Sequence, residues 1–264
     1  MEIFPTAIAF WFGSVYGSFL NVVIHRLPRE ESVVHPRSHC PRCKSTIAWY
    51  DNVPMVSWLI LRGRCRRCGK PISARYPLVE AAAGLLAAAL QRRWAGSPAW
   101  TAAAIIACGA LLAVALIDWD TFLIPDELSL GLVAAGLAAA PLNPYFAGRA
   151  WWMPLLWSLL GAACGFAMGW AIAELGEFML KKEALGGGDV KLLAAVGAWA
   201  GATGAFDCLM IGSLLGSIYG ARLLMAGKAK RSDPIPFGPF LAAGAAFNFF
   251  MLLPLGWPLV GPGR

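Results

Sequence analysis

The feature that most narrows the possible folds is a stretch of 21 residues, Ser97 to Ile117, without a single charge. That is about the length an α-helix needs to cross the hydrocarbon core of a bilayer. A second uncharged run, Ile3 to Ile24, lies near the start of the chain. Further apolar stretches follow at 128–148, 150–173, 192–206 and 208–227, with a weaker one from Leu78 and a last one opened by Pro234 to Phe240. With 58% hydrophobic and 14% charged residues, the 264-residue chain is too apolar for a water-soluble domain of its length. The pattern predicts an all-α polytopic membrane protein of about eight transmembrane helices.

Charge placement orients it. The first run is preceded by Glu2 and followed by His25 and Arg26, which predicts a retained span ending on the inside rather than a cleaved leader. The net charge of +7 could suggest nucleic acid, but half of the 22 Lys and Arg residues lie between Arg26 and Arg75, against three acids there. That is the positive-inside mark of a cytoplasmic segment, and no nucleic-acid partner is expected. With the N-terminus outside, 18 basic residues fall inside and four, Arg92, Arg93, Arg149 and Arg264, outside.

The polar segment holds Cys40-Pro41-Arg42-Cys43 and Cys65-Arg66-Arg67-Cys68, with 21 residues between the pairs. Two such knuckles offer four thiolates to one tetrahedral ion, which suits Zn²⁺, and a closed four-sulfur shell makes the role structural. A reducing cytoplasm disfavours disulfides. Arg42, Lys44, Arg64, Arg66 and Arg67 are expected to lower the thiol pKa values. His35 and His39 are spare. Cys108, Cys164 and Cys208 lie in apolar runs and read as small core residues. The aromatic stretch around Trp49, Tyr50 and Trp58 suits either packing onto the metal site or the membrane interface. In the first span, Gly13, Ser14, Gly17 and Ser18 form a small-residue packing face, and Asn21 can hydrogen-bond across it.

Two acids stand out. Asp189 follows Gly186, Gly187 and Gly188 at the entrance to an apolar run, and an ionisable group at a membrane-segment boundary is a functional candidate. Asp118 sits at the end of the 97–117 run, where the helix dipole disfavours an anion. Asp120, two residues on, points elsewhere if the helix continues. Asp126 reads as an N-cap to the following run, with Ser129 three residues on, and Lys191 as an interfacial anchor. The orientation puts Asp118 and Asp189 at the cytoplasmic ends of their helices. Two carboxylates sharing a low-dielectric site share a proton, so one activates water while the other donates to a peptide carbonyl, as in aspartic proteases. The glycines, lacking Cβ atoms, allow a substrate strand close to the backbone. H-E-x-x-H and G-x-S-x-G motifs are absent. No internal repeat is evident.

Read together, these residues resemble the bacterial type IV prepilin leader peptidases, a family of membrane aspartic proteases. The resemblance rests on Gly17-Ser18-Phe19-Leu20-Asn21 with Arg26-Leu27-Pro28, the four cysteines with Trp49-Tyr50-Asp51-Asn52 and Arg75-Tyr76-Pro77, the segment from Asp118 to Pro125-Asp126, Gly186 to Lys191, and Pro236-Phe237-Gly238-Pro239. It implies cleavage of the basic leader of type IV prepilins or type II secretion pseudopilins at the cytoplasmic face of the bacterial inner membrane. It also implies N-methylation of the new N-terminus with S-adenosylmethionine. The catalytic pair it implies is Asp118 and Asp189, with Asp118 preferred over Asp120 by its spacing from Pro125. The residues themselves identify no S-adenosylmethionine site. The expected organisation is a first span (1–25), a cytoplasmic four-cysteine zinc domain (26–77) and a transmembrane aspartic peptidase domain (78–260). A proton-coupled transporter relaying protons through Asp118 and Asp189 is the competing reading; it calls for broken helices and repeated halves, and the sequence shows neither. A zinc-stabilised scaffold, with both aspartates as helix caps, is the third.

Overall fold

The apolar runs fold as helices, those beginning at Ile3, Leu78 and Ser97 close to their predicted bounds, in a computed structural model that describes residues 3–146, 150–181, 185–228, 230 and 233–251. Among these are α1 (Ile3–Arg26), α2 (Val56–Ile60), α3 (Arg75–Arg93), α4 (Pro98–Thr121), α5 (Asp126–Ala139), α6 (Met153–Leu180), α7 (Gly187–Met225) and α8 (Gly238–Asn248). Among the described residues, four helical segments are long and apolar enough to cross a membrane: Ile3–Arg29, Pro98–Thr121, Met153–Met179 and Gly187–Met225. Of the residues used to orient the chain, Glu2, Arg149, Lys182, Arg231 and Arg264 lie outside the described residues.

Three boundaries differ from expectation. The run 150–173 continues as helix to Leu180, past Glu174 and Glu177. The run 128–148 is not one helix: α5 ends at Ala139 and continues as short 3₁₀ turns over Ala140–Leu142 and Pro144–Phe146. Pro141 and Pro144 lack the amide an α-helix needs. At about 1.5 Å per residue, α5 is about 21 Å long. The runs 192–206 and 208–227 do not part at Asp207; both belong to α7, which breaks at Gly201 (φ 72°, ψ −176°). Asp207 is instead fully buried beyond the break. The left-handed φ favours glycine at that point.

The chain divides into two compact units within α4, after Gly109. In the N-terminal unit α1 and α3 run antiparallel in close contact. A Cβ on Gly13 would lie 2.5 Å from that of Ala87, and one on Gly17 2.8 Å from the Glu80 Cα, so the small residues of α1 do form its packing face. Asn21 extends the seam, donating through Nδ2 to the Tyr76 carbonyl at 3.1 Å.

In the C-terminal unit α7 packs against α5, α6 and α8. Gly161 of α6 meets Gly197 of α7 so closely that a Cβ on either would fall about 2 Å from the other's carbonyl oxygen. The break in α7 frees backbone carbonyls that lipid would not solvate. Neighbouring side chains meet them: Ser158 Oγ donates to the Ala198 carbonyl at 2.7 Å and Asn143 Nδ2 to that of Trp199 at 2.6 Å. Asn248 Nδ2 donates to the Gly204 carbonyl just beyond, at 2.7 Å. Trp199 Nε1 in turn donates to the Leu132 carbonyl of α5 at 2.8 Å. The half of α7 that begins at the three glycines is thus held from several sides.

Candidate metal centre and candidate active site

The four sulfurs of Cys40, Cys43, Cys65 and Cys68 lie within 4.8 Å of one another, and Cys40 and Cys68 are 3.9 Å apart. A tetrahedral zinc with Zn–S bonds of about 2.3 Å places its ligands about 3.8 Å apart, so the donor set fits. The two knuckles repeat one backbone design. In each, the first cysteine donates its N–H to the residue five on (Ser45, Lys70) and its carbonyl accepts from the residue four on (Lys44, Gly69). That fourth residue is left-handed in both, at φ 58° and 66°. A bridge closes each turn, His39 with Thr46 and Arg64 with Pro71.

The Cys43 thiol is drawn down to about 6, chiefly by hydrogen bonding with Ser45 and not by the basic neighbours expected to do so. Cys68 is pushed up to about 11: donation from Lys70 pulls it down, but partial burial and the other three thiols outweigh that. Part of the aromatic stretch folds onto the second knuckle. Arg66 donates twice to Asp51, at 2.8 and 2.7 Å, which holds the Asp51 carboxyl below its usual range, and the Arg66 guanidinium lies 5.7 Å from the Tyr50 ring centre. Trp49 remains exposed. Of the other cysteines, Cys108 and Cys208 are buried as expected of core residues, whereas Cys164 is exposed on α6.

The aspartates belong to the C-terminal unit. Asp118 is near the end of α4 and only 5% exposed. Its Oδ2 accepts the backbone N–H of Gly238 at 2.8 Å. Gly238 is the first residue of α8, and Pro239 follows in its first turn, a favoured place for proline. A carboxylate there lies at the positive end of the helix dipole, which offsets the unfavourable position Asp118 has on its own helix. A Cβ on Gly238 would sit 2.8 Å from that same oxygen, so only glycine admits this approach. Asp120 is exposed.

Beyond Asp118, Phe122 turns left-handed (φ 57°) and donates to the Asp118 carbonyl, which ends α4. The following Ile124 then meets the glycine stretch: a Cβ on Gly188 would fall 2.9 Å from that of Ile124. The segments carrying Asp118 and Asp189 are therefore in contact. Gly186 is the N-cap of α7, and Asp189 occupies the third helical position, its Oδ2 3.4 Å from where a Gly186 Cβ would be. Gly187 faces open space. Each glycine thus has its own surroundings: room for a carboxylate, exposure, and tight packing.

Asp126 is not an N-cap. Pro125 holds that position without a side-chain bond, and the Asp126 carboxylate pairs with Lys191 Nζ at 2.6 and 2.8 Å. This pair joins the start of α5 to the start of α7, a role for Lys191 that local sequence did not suggest. The part played by Gly238 is equally non-local, although its Pro-Phe-Gly-Pro setting is a visible motif.

A helical membrane protein whose buried aspartate and glycine-led aspartate lie on contacting segments of one unit, and whose other unit carries a four-thiol cluster, has close relatives among known proteins. Residues 11–94 match the bacterial peptidase A24 N-terminal domain, and residues 105–221 the type IV leader peptidase family. The chain is 38% identical to the prepilin leader peptidase/N-methyltransferase of Aeromonas salmonicida (strain A449), over 89% of this chain and 87% of that protein. It is 38% identical to the protein of that name from Burkholderia pseudomallei (strain 1026b), over 94% and 86%, and 41% identical to that from Myxococcus xanthus (strain DK1622), over 82% and 62%. No solved structure matches it. The chain belongs to the type IV leader peptidase family, peptidase A24.

Proposed function

We propose that the chain is a membrane aspartic endopeptidase that removes the basic leader of type IV prepilins or type II secretion pseudopilins and N-methylates the N-terminus it exposes. The observation that carries the peptidase half is the placement of Asp118, buried and held through one oxygen by the Gly238 amide, on a segment packed against the stretch that bears Asp189. The two carboxyls share one proton. With Oδ2 of Asp118 fixed, its Oδ1 addresses the attacking water, and the partner acid donates to the scissile carbonyl. Gly186, Gly187 and Gly188 form the rail beside which the substrate backbone lies, with Gly187 the exposed member.

The four cysteines hold Zn²⁺ as a structural ion: their spacing suits a closed shell, which leaves no place for water. S-adenosylmethionine, when bound, supplies the methyl group. The N-terminal unit carries the methylating half around the zinc domain of residues 26–77, and the peptidase domain is drawn over 78–260. The setting is the bacterial inner membrane, crossed about eight times, with the N-terminus outside and the aspartates facing the cytoplasm.

The break at Gly201 is a feature that a transporter would also show, but its carbonyls are met by Ser158 and Asn143, and the sequence carries no internal repeat. The deciding experiment is trimming of a prepilin-like peptide by purified protein in detergent. Asp189→Asn should abolish trimming while the protein stays folded; retained cleavage would refute the assignment.

A further inference from the structure

The N-terminal unit contains a cavity of about 240 Å³ that the aspartate chemistry does not use. The last turns of α1, the first turns of α3, the chain from Met55 to Leu61 and Cys40 of the first knuckle line it. Its volume is a little under the about 300–1,000 Å³ usual for small-molecule sites, which suits one small ligand and not a folded partner.

Two buried ionisable groups of opposite sign line this cavity, Arg26 (7% exposed) and Glu80 (8% exposed). Backbone dipoles hold both, and the Ser18 hydroxyl also hydrogen-bonds Glu80. Arg26 donates to the carbonyls of Ser32 at 2.9 Å and Pro36 at 2.8 Å, and Glu80 Oε2 accepts the Met55 N–H at 2.7 Å. Such bonds orient a charge without neutralising it, and keeping charged groups buried in this way is expensive unless something else compensates them. Met55 itself has a left-handed backbone (φ 57°, ψ −46°). For a residue other than glycine that conformation is strained, and such strain clusters at functional sites. The cavity also offers flat walls. Trp58 is fixed by donation from Nε1 to the Ile72 carbonyl at 3.1 Å and by the close backbone of Gly63, and Tyr76 lies at the start of α3.

A ligand complementary to these walls has a carboxylate, a positive centre and a planar ring. S-adenosylmethionine has all three. We propose that this cavity is the methyl-donor site, with Arg26 receiving the donor's carboxylate and Glu80 its positive centres. The assignment rests on the methylating half of the proposed function. It agrees with the position of both residues inside the N-terminal domain matched over 11–94.

The test uses the full chain purified in detergent. S-adenosylhomocysteine, which keeps the carboxylate, ammonium and purine, is titrated calorimetrically. S-adenosylmethionine is photo-cross-linked to the wild-type protein and the labelled peptides are mapped. The expected result is one site, at least tenfold weaker in Glu80→Gln and in Arg26→Met, with label on peptides from α1, α3 or the 55–61 segment. Label confined to residues 110–264, or unchanged affinity in both variants, would overturn the site and leave the methylating function standing. If the variants do not fold, the wild-type cross-link map decides alone. A preparation that trims prepilin peptide but binds no S-adenosylhomocysteine would remove both the donor site and the methylating half, and leave the peptidase assignment intact.

Discussion

The backbone amide of Gly238 donates to Oδ2 of Asp118 at 2.8 Å, across 120 residues of sequence. The contact depends on glycine, because a Cβ there would lie 2.8 Å from that oxygen and 3.1 Å from the Asp118 Cβ. Gly238→Ala should therefore displace the carboxylate. A catalytic group moved by about 1 Å loses on the order of 100-fold in rate. Steady-state cleavage of a prepilin peptide should show that loss in kcat, with KM nearly unchanged; a fall in binding alone would mean that Gly238 shapes the substrate site instead.

The two aspartates act as a unit in this reading, so their contributions should not add. Asp118→Asn and Asp189→Asn should each reduce leader cleavage by at least about 1,000-fold, and the double variant should be no worse than the poorer single one. Asp120→Asn, which changes an exposed residue, should retain activity within about threefold in the same assay. These magnitudes follow the pattern of residues that catalyse together.

Gly187 and Gly188 separate a role in substrate binding from a role in packing. A Cβ on Gly187 meets nothing, whereas one on Gly188 would press on Ile124 at 2.9 Å. Gly187→Ala should leave the thermal unfolding temperature within about 2 °C of wild type yet lower kcat/KM at least tenfold, because the added methyl meets the substrate. Gly188→Ala should lower both, by about 1–3 kcal/mol in stability as an overpacked site does.

Metal analysis should find one zinc per chain, lost in Cys40→Ser and in Cys65→Ser. A strong chelator should have the same effect and destabilise the N-terminal unit, since binding to a site absent from the unfolded chain adds directly to folding free energy. Limited proteolysis with and without chelator, followed over residues 26–77, would detect it. Equal protection in both conditions would remove zinc as a structural element.

Breaking the Lys191–Asp126 pair should matter little to stability. Both side chains are substantially exposed, at 37% and 57%, and exposed ion pairs contribute about 0–1 kcal/mol. Lys191→Met is expected to unfold within about 1 kcal/mol of wild type in a denaturant titration.

What could be read from the chain itself depended on how local each feature is. The cysteine knuckles were legible because all four cysteines announce themselves by spacing, and the packing face of α1 because Gly13 and Gly17 sit one helical turn apart. Asp118 and Asp189 were legible as charges out of place in apolar surroundings. The break at Gly201 was not, since a glycine in an apolar run is equally a packing residue, and only the carbonyls it frees toward Ser158 and Asn143 identify it. Nor were the partners of Asp126 and Asp118. Lys191 lies 65 residues from Asp126 and Gly238 lies farther still from Asp118, and such pairings are decided by helix packing, not by neighbouring residues. The fourth run was drawn too long because apolar content outweighed Pro141 and Pro144, which set the helix end.

The discontinuity in α7 also makes a mechanical distinction between its halves. A straight rod of that length would pass any tilt at one end directly to the other. With the rod cut at Gly201 and the near piece clamped by Ser158, Asn143 and the Trp199 anchor to α5, bending of the far piece is absorbed at the cut. Asp189 is thereby referenced to α5 and α6, and bending of the distal half leaves the position of the acid unchanged.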